Sequence, residues 1–485
     1  MIATSLMNED LAAITARLRP ANAELANRYP GESGARQPVH TVYGGAQLFT
    51  ADTVPKLGQV ARRTLEEYAP DFVTLARIIG LPGADALDPT DDAIARQLEI
   101  DAEAVRRDHP DAWLAHAVYA RVREKLRREP VEDFRIDYED GYGVRPDTEE
   151  DGHAAAGARE VARAMREGTL SPFIGIRVKP LTAELHARSL RTLDIFLTTL
   201  VREAGGLPER FVLTLPKIAA AEQASAFVDA LEQLEARLRL GAGALRFEAM
   251  VETPQLIMDA SGRSLLPALI DAARGRLVAA HFGTYDYTAA LNITAAYQRM
   301  RHIACDFARS VMQVAFAGTG VWLSDGSTTV MPVPVHRRAP DGPPLSAEQM
   351  AENRASVHNA WRLHYDDVRH SLASGFYQGW DLHPAQLVTR YAAVSAFFLT
   401  GVEQQGARLR HFVERAAQAT LVGDVFDDAA TGQGLLNFFF RAINCGALTE
   451  DEAVAMTGVT LDELRGRSFV RILQHRRGTP MTAVP

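Results

Sequence analysis

The stretch "RFEAMVETPQLI", residues 246–257, decides how the rest of the chain is read. Its first half has the length and apolar content of a buried strand. Pro254 stops it, because proline lacks an N–H and pushes the residue before it out of helical geometry. Between the strand and the stop stands Glu252. A carboxylate at that point either caps the next helix or holds a ligand. The choice depends on whether other strands end in the same way.

Seven further runs resemble it: "VHTVY" (39–43), "FRID" (134–137), "FIGIRV" (173–178), "FVLTL" (211–215), "LVAAHF" (277–282), "GVWLS" (320–324) and "FYQGWDL" (376–382), with the strand of the opening stretch taken as 245–251. Amphipathic segments such as "ELHARSLRTLDIFLTTLVREAG" and "EQASAFVDALEQLEARLRL" separate them. Short strands spaced by helices imply βα units and a parallel sheet. Eight of them imply a (β/α)8 TIM barrel. The rival is a doubly wound open sheet, which would carry a glycine-rich turn after its first strand. Gly44-Gly45 is a weak match to one.

The expected organisation is an N-terminal helical segment (1–38), a barrel domain (39–400) with a helical insertion after the first strand (51–130), and a C-terminal helical extension (401–485). After about residue 400 no strand is expected. Ser346/Gln349, Thr449/Glu452 and Thr460/Glu463 have capping-box spacing, and Gly446 and Gly458 fit helix stops. The tail has helix-turn-helix spacing, but "TEDEA" and "LDEL" place acid where a DNA reader needs base.

A net charge of -9 argues against nucleic acid and anionic membranes as partners. Two cysteines allow neither a disulfide framework nor a four-thiolate zinc site, so a cytoplasmic setting is expected. The first residues lack a basic start and a signal-peptide core, and runs such as "VSAFFLTGV" are too short to span a bilayer. Only four of the 52 basic residues are lysines, at positions 56, 125, 179 and 217, and two of these follow strands.

In a barrel, the residues after the strands form the active face. Strand two is followed by Asp137, Glu139 and Asp140. Strand three carries Arg177 and Lys179, strand four Lys217 and strand five Glu252. Strand six leads to Asp286, and strand eight to Asp381 and His383. Each charge singly has a bland reading as a cap or a solvated loop. Converging on one rim, they would be costly unless paired or holding a cation. Glu252 and Asp286, one βα unit apart, would set two carboxylates side by side, which suits Mg2+ better than zinc.

The ordered motifs "DYEDGYG", "GIRVKP", "TLPKI", "EAMVETP", "FGTYDYTAALNI" and "GWDLHPAQL" resemble the superfamily of the 2-oxo-acid aldolases (the HpcH/HpaI class), the citrate lyase β subunit and malate synthase. The match runs from about Val39 to Leu399. The resemblance implies that Glu252 and Asp286 hold Mg2+, with Mn2+ as an alternative. It also implies that Arg177 binds substrate carboxylate or carbonyl, that Glu139 and Asp140 sit beside the metal and its waters, and that Pro216-Lys217 matches the family's strand-four motif; the expected base is Glu139 or Asp140 through water, and Lys217 is a further catalytic candidate. Lys179, standing where the family has asparagine, and His383 are the further substrate-binding candidates.

The activity so implied is Mg2+-dependent carbon–carbon cleavage, or its reverse, on a 2-oxo acid or a related CoA-linked hydroxy acid, through a metal-stabilised enolate in a homo-oligomer. Three alternatives stand beside it. One is malate synthase-like condensation of an acyl-CoA thioester with glyoxylate, for which the tail residues Asp424, Asp427, Asp428 and Asp451 compete as the catalytic aspartate. The second is a Schiff-base aldolase using Lys217. The third is a non-catalytic interaction protein.

Overall fold

The computed structural model describes residues 5–32, 34–88, 92–339, 341–414, 420–422, 425–427, 429–466, 472 and 476. Eight parallel strands close into a barrel. They are β1 (His40–Gly45), β2 (Asp133–Asp137), β3 (Phe173–Arg177), β4 (Phe211–Leu215), β5 (Arg246–Val251), β6 (Leu277–Phe282), β7 (Trp322–Ser327) and β8 (Gln378–Asp381). Each pairs with its neighbours in sequence, and β8 closes on β1 through His40 opposite Gly379 and Val42 opposite Asp381. The expected TIM barrel is the observed fold. β7 runs later than its apolar residues announce. The Asp325 carboxylate is paired by Arg309 (2.9 and 3.0 Å), so the strand can continue through a buried charge.

Among the described residues, five α-helices lie between β1 and β2, from Thr53–Tyr68 to Pro110–Arg128. The last packs against the helix Gln386–Leu399. That helix contains the apolar run "VSAFFL" and is buried almost throughout because helices cover it on both sides: Pro110–Arg128 on one, Ala347–Ala373 on the other. This explains a stretch too apolar for a surface helix. Among the described residues no helix is long and apolar enough to cross a membrane.

Beyond residue 400 the helices Val402–Glu414, Ala429–Asn444, Glu450–Thr457 and Leu461–Gly466 follow. Thr449/Glu452 forms the expected capping box, and Gly458 ends its helix in the left-handed region. One expectation fails here. Two short antiparallel strands, β9 (Thr420–Val422) and β10 (Val425–Asp427), interrupt the helical tail.

Candidate active site

The strand ends set the site. On β2, Asp137 is buried and receives a two-pronged bond from Arg177 on β3: Nε to Oδ1 at 2.7 Å and an NH2 nitrogen to Oδ2 at 2.6 Å. The neighbouring turn closes on the same carboxylate, with Glu139 N–H donating at 3.0 Å and Gly141 N–H at 2.7 Å. A Cβ at Gly141 would stand 2.7 Å from Asp137 Oδ2, so only glycine permits this turn. The remaining arm of Arg177 faces Glu139 (2.9 Å) and Asp140 (3.7 Å). Below, its guanidinium lies over the Tyr43 ring at 4.7 Å.

Lys217, after β4, adopts a left-handed backbone (φ 48°) that costs a residue with a Cβ roughly 1 kcal/mol. In that conformation its N–H donates to Glu252 Oε1 at 2.7 Å. Its ammonium bonds Glu139 and stands 3.2 Å from Asp140 and 3.6 Å from Asp286. Glu252 is only 2% exposed. Gly283 gives it room: a Cβ there would sit 2.4 Å from Glu252 Oε2. Asp286, on the short helix Thr284–Ala290 after β6, is 41% exposed at its side chain.

Five carboxylates, Asp137, Glu139, Asp140, Glu252 and Asp286, thus meet two cations, Arg177 and Lys217. The imbalance appears in the proton affinities. Burial, then Asp286 and Glu139, push the Glu252 carboxyl far up. Burial raises Glu139 too, against the pull of Arg177. Burial disfavours the Lys217 charge, but Glu139, Asp140 and Asp286 override it and hold the ammonium more firmly than usual. Among the described residues no three metal-ligating side chains converge closely enough to hold an ion as they stand. Lys217 itself occupies the focus of Glu139, Asp140 and Asp286. An all-oxygen donor set with surplus negative charge and a carboxyl that resists ionising fits a hard dication such as Mg2+.

Beneath this rim the barrel interior is polar, which the sequence reading missed. Glu248, inside the run taken as apolar, accepts two bonds from Arg135 (both 3.0 Å) and lies 3.0 Å from His281 Nε2. His281 Nδ1 accepts from Trp380 Nε1–H at 3.0 Å, an arrangement that assigns the ring proton to Nε2. Trp380 lies against Tyr43 (4.7 Å between centroids). Arg177, Tyr43 and Trp380 therefore rest in turn on a polar column of Arg135, Glu248 and His281. The signal was present in the alternation of polar residues along β2 (Asp133, Arg135, Asp137) and in the even spacing of Glu248 on β5 from Glu252 just past its end.

Three expected residues do not join the cluster. Lys179 turns outward to the Tyr138 carbonyl (2.6 Å) and to buried Glu150 (2.9 Å), because β3 ends at Arg177 and the chain has left the barrel. Asp381 also points outward. It takes Arg390 (2.9 Å), His364 (3.0 Å) and His40 (3.3 Å) between the barrel and its helices. His383 accepts from Ala385 N–H at 3.2 Å, the helix-start role that was its bland reading. In the tail, Asp424 and Asp428 lie outside the described residues, as does the side chain of Asp427, and Asp451 is exposed in the first turn of its helix. A cavity of about 710 Å3 lined by Phe173, Arg210, Arg246 and Trp322 opens at the opposite, N-terminal face and shares no residue with the cluster.

A family model described as a domain of unknown function (DUF6986) matches residues 18–472. No curated protein matches the chain. Among solved structures, a citrate lyase from Burkholderia xenovorans LB400 aligns with a TM-score of 0.48 at 19% identity, over 70% of this chain and 92% of that one. The pyruvate/acetyl-CoA ternary complex of Haloferax volcanii malate synthase aligns at 0.38 and 16%, over 71% and 88%. The magnesium/glyoxylate complex of the same enzyme aligns at 0.35 and 16%, over 72% and 88%.

Proposed function

The chain belongs to the DUF6986 family, and we propose that it is a divalent-cation-dependent carbon–carbon lyase acting on a 2-oxo acid, or on the hydroxy acid formed by the reverse addition. The observation that carries this reading is the excess of carboxylates over cations at the rim, five against two, around the fork of Arg177. Glu252 and Asp286 would hold the cation, with Glu139 and Asp140 beside it. When bound, the cation supplies Lewis-acid polarisation of a 2-oxo acid's carbonyl and carboxylate.

The rest falls to the chain's own groups. Asp137 fixes Arg177 in one orientation, leaving its third nitrogen for a substrate carboxylate in place of Glu139. Glu139, displaced from that nitrogen and raised in proton affinity by burial, takes the proton from the substrate hydroxyl as the carbon–carbon bond breaks. The bond's electron pair moves to the 2-oxo fragment as an enolate, and the other fragment leaves as a carbonyl compound. The Lys217 ammonium stabilises the developing oxyanion. Return of the proton to carbon completes the cycle, and the reverse order gives condensation.

The Schiff-base alternative needs a lysine with depressed proton affinity, and Lys217 is shifted the other way. The test is a panel of 4-hydroxy-2-oxo acids and CoA-linked hydroxy acids assayed with Mg2+ and with chelator. A parallel arm of acetyl-CoA with glyoxylate, read by product, separates the malate synthase-like alternative. Cleavage insensitive to chelator, or no turnover in any arm with Mg2+ or Mn2+, would overturn the reading.

A further inference from the structure

The helix Asn8–Arg28 buries none of its residues. It is rooted at its end only. Arg28 reaches Asp271 at 3.3 Å, Tyr29 lies against Gly318, and Gly31 N–H donates to the Gly318 carbonyl at 2.8 Å. Most helical stability in a protein comes from packing an apolar face, and this helix, which also carries Pro20, buries none of its own. Its sequence nevertheless has a strict seam. Met7, Leu11, Ile14, Leu18, Ala21 and Leu25 alternate at spacings of four and three, the 3.5-residue repeat of helices that pack on helices. Pro20 falls off the seam. The five large residues of the seam are 45–71% exposed.

A second apolar face lies on the helix Ile303–Phe316, beside that root. Its outer stripe reads Ile303, Phe307, Ser310, Val314 and Ala317. Ile303 is 79% exposed, Phe307 50% and Val314 82%, where a barrel's outer helix ordinarily shows polar residues to water. The two faces do not cover one another within the chain. Together they expose on the order of 800 Å2, about what one partner contributes to a standard stable interface. The charges flanking the seam are balanced (Glu9, Asp10 and Glu24 against Arg17, Arg19 and Arg28), unlike the basic polar face of a membrane-surface helix.

We propose that the occupant of each face is a second copy of this chain: the N-terminal seam of one protomer docks on the Ile303–Ala317 stripe of its partner, and the reverse. A twofold axis would use both faces of each chain, since a residue of the seam then meets a residue of the partner's stripe and the same contact occurs twice. The pairing does not depend on what the strand-end site does.

Sedimentation velocity of the full chain at micromolar concentration tests it, with circular dichroism to check folding. The wild type should be a dimer. Leu11→Glu/Leu18→Glu and Phe307→Glu/Val314→Glu should each sediment as a folded monomer. Mixing the two variants should restore a weaker dimer, because one intact seam then meets one intact stripe. A monomeric wild type overturns the proposal. So does a stripe variant that remains dimeric while the seam variant dissociates, which would mean that the helices pair with each other. Dimers that survive both substitutions overturn it as well.

Discussion

Glu252→Gln gives the sharpest test of the rim. The native carboxyl is buried, and burial with Asp286 and Glu139 pushes its pKa up to about 8 from 4.5. A carboxyl raised in the folded state stabilises the fold while protonated. That contribution is complete below pH 4.5 and is lost as pH climbs toward 8, where unfolding lets the group ionise freely. At neutral pH the difference amounts to about 3 kcal/mol, at 1.36 kcal/mol per unit. Glutamine keeps the acceptor for Lys217 N–H and removes the titration, though its amide must find its own partner inside the site. In chelator the variant should therefore match the wild type near pH 4.5. By neutral pH it should exceed the wild type by about 1–3 kcal/mol, a rise of a few degrees in Tm for a chain of this size. Adding millimolar Mg2+ should stabilise the wild type and leave the variant unmoved, and turnover should vanish. The assay is thermal unfolding against pH, with and without Mg2+, beside calorimetric titration of the metal. A variant less stable than wild type at every pH, with Mg2+ binding intact, would make Glu252 a structural cap and move the metal site elsewhere.

Asp286→Asn should also abolish Mg2+ binding by calorimetry, with little change in apo stability because the side chain is 41% exposed; the Glu252→Gln/Asp286→Asn double variant should lose no more activity than either single one, since the two carboxylates act as one unit. Lys217→Arg should retain measurable turnover because the charge among Glu139, Asp140 and Asp286 is kept, and borohydride treatment of the native protein with substrate should leave no adduct detectable by mass spectrometry. Arg177→Lys should lower kcat by about 10²-fold or more, since a lysine cannot hold Asp137 with two nitrogens and still face substrate. Lys179→Met should cost about 1–3 kcal/mol in urea unfolding by taking one cation from the buried Glu150, which keeps Arg188 (3.5 Å) and Thr192 (2.6 Å), and should leave Mg2+ affinity unchanged; a lost metal response there would return Lys179 to the site.

The barrel was legible because strands buried on both faces read as short apolar runs between helical patterns. The rim was legible because residues after such strands can face only one end of the barrel. What the sequence left open is which side of the wall each charge takes. Asp137, Arg177 and Glu252 turn inward, whereas Asp381 on β8 turns outward to Arg390 and His364, and Lys179 outward to Glu150. On β8 the partner settles it: Trp380 reaches across to His281, so its neighbour Asp381 must face the helices, by the period of two along a strand. The same period makes Glu248 an inward residue once Glu252 is one. No apolar tally finds it, since Glu248 is a charge inside a buried run and stable only because Arg135 and His281 come from other strands to meet it. A buried charge with partners on different strands is invisible to local pattern. Yet the partners themselves, an arginine in the middle of β2 and a buried histidine one residue from the end of β6, are residues a purely apolar barrel would exclude. Three such misfits on separate strands of one closed sheet have only the interior in which to satisfy one another, so the misfits point to a polar column below the rim before any contact is seen.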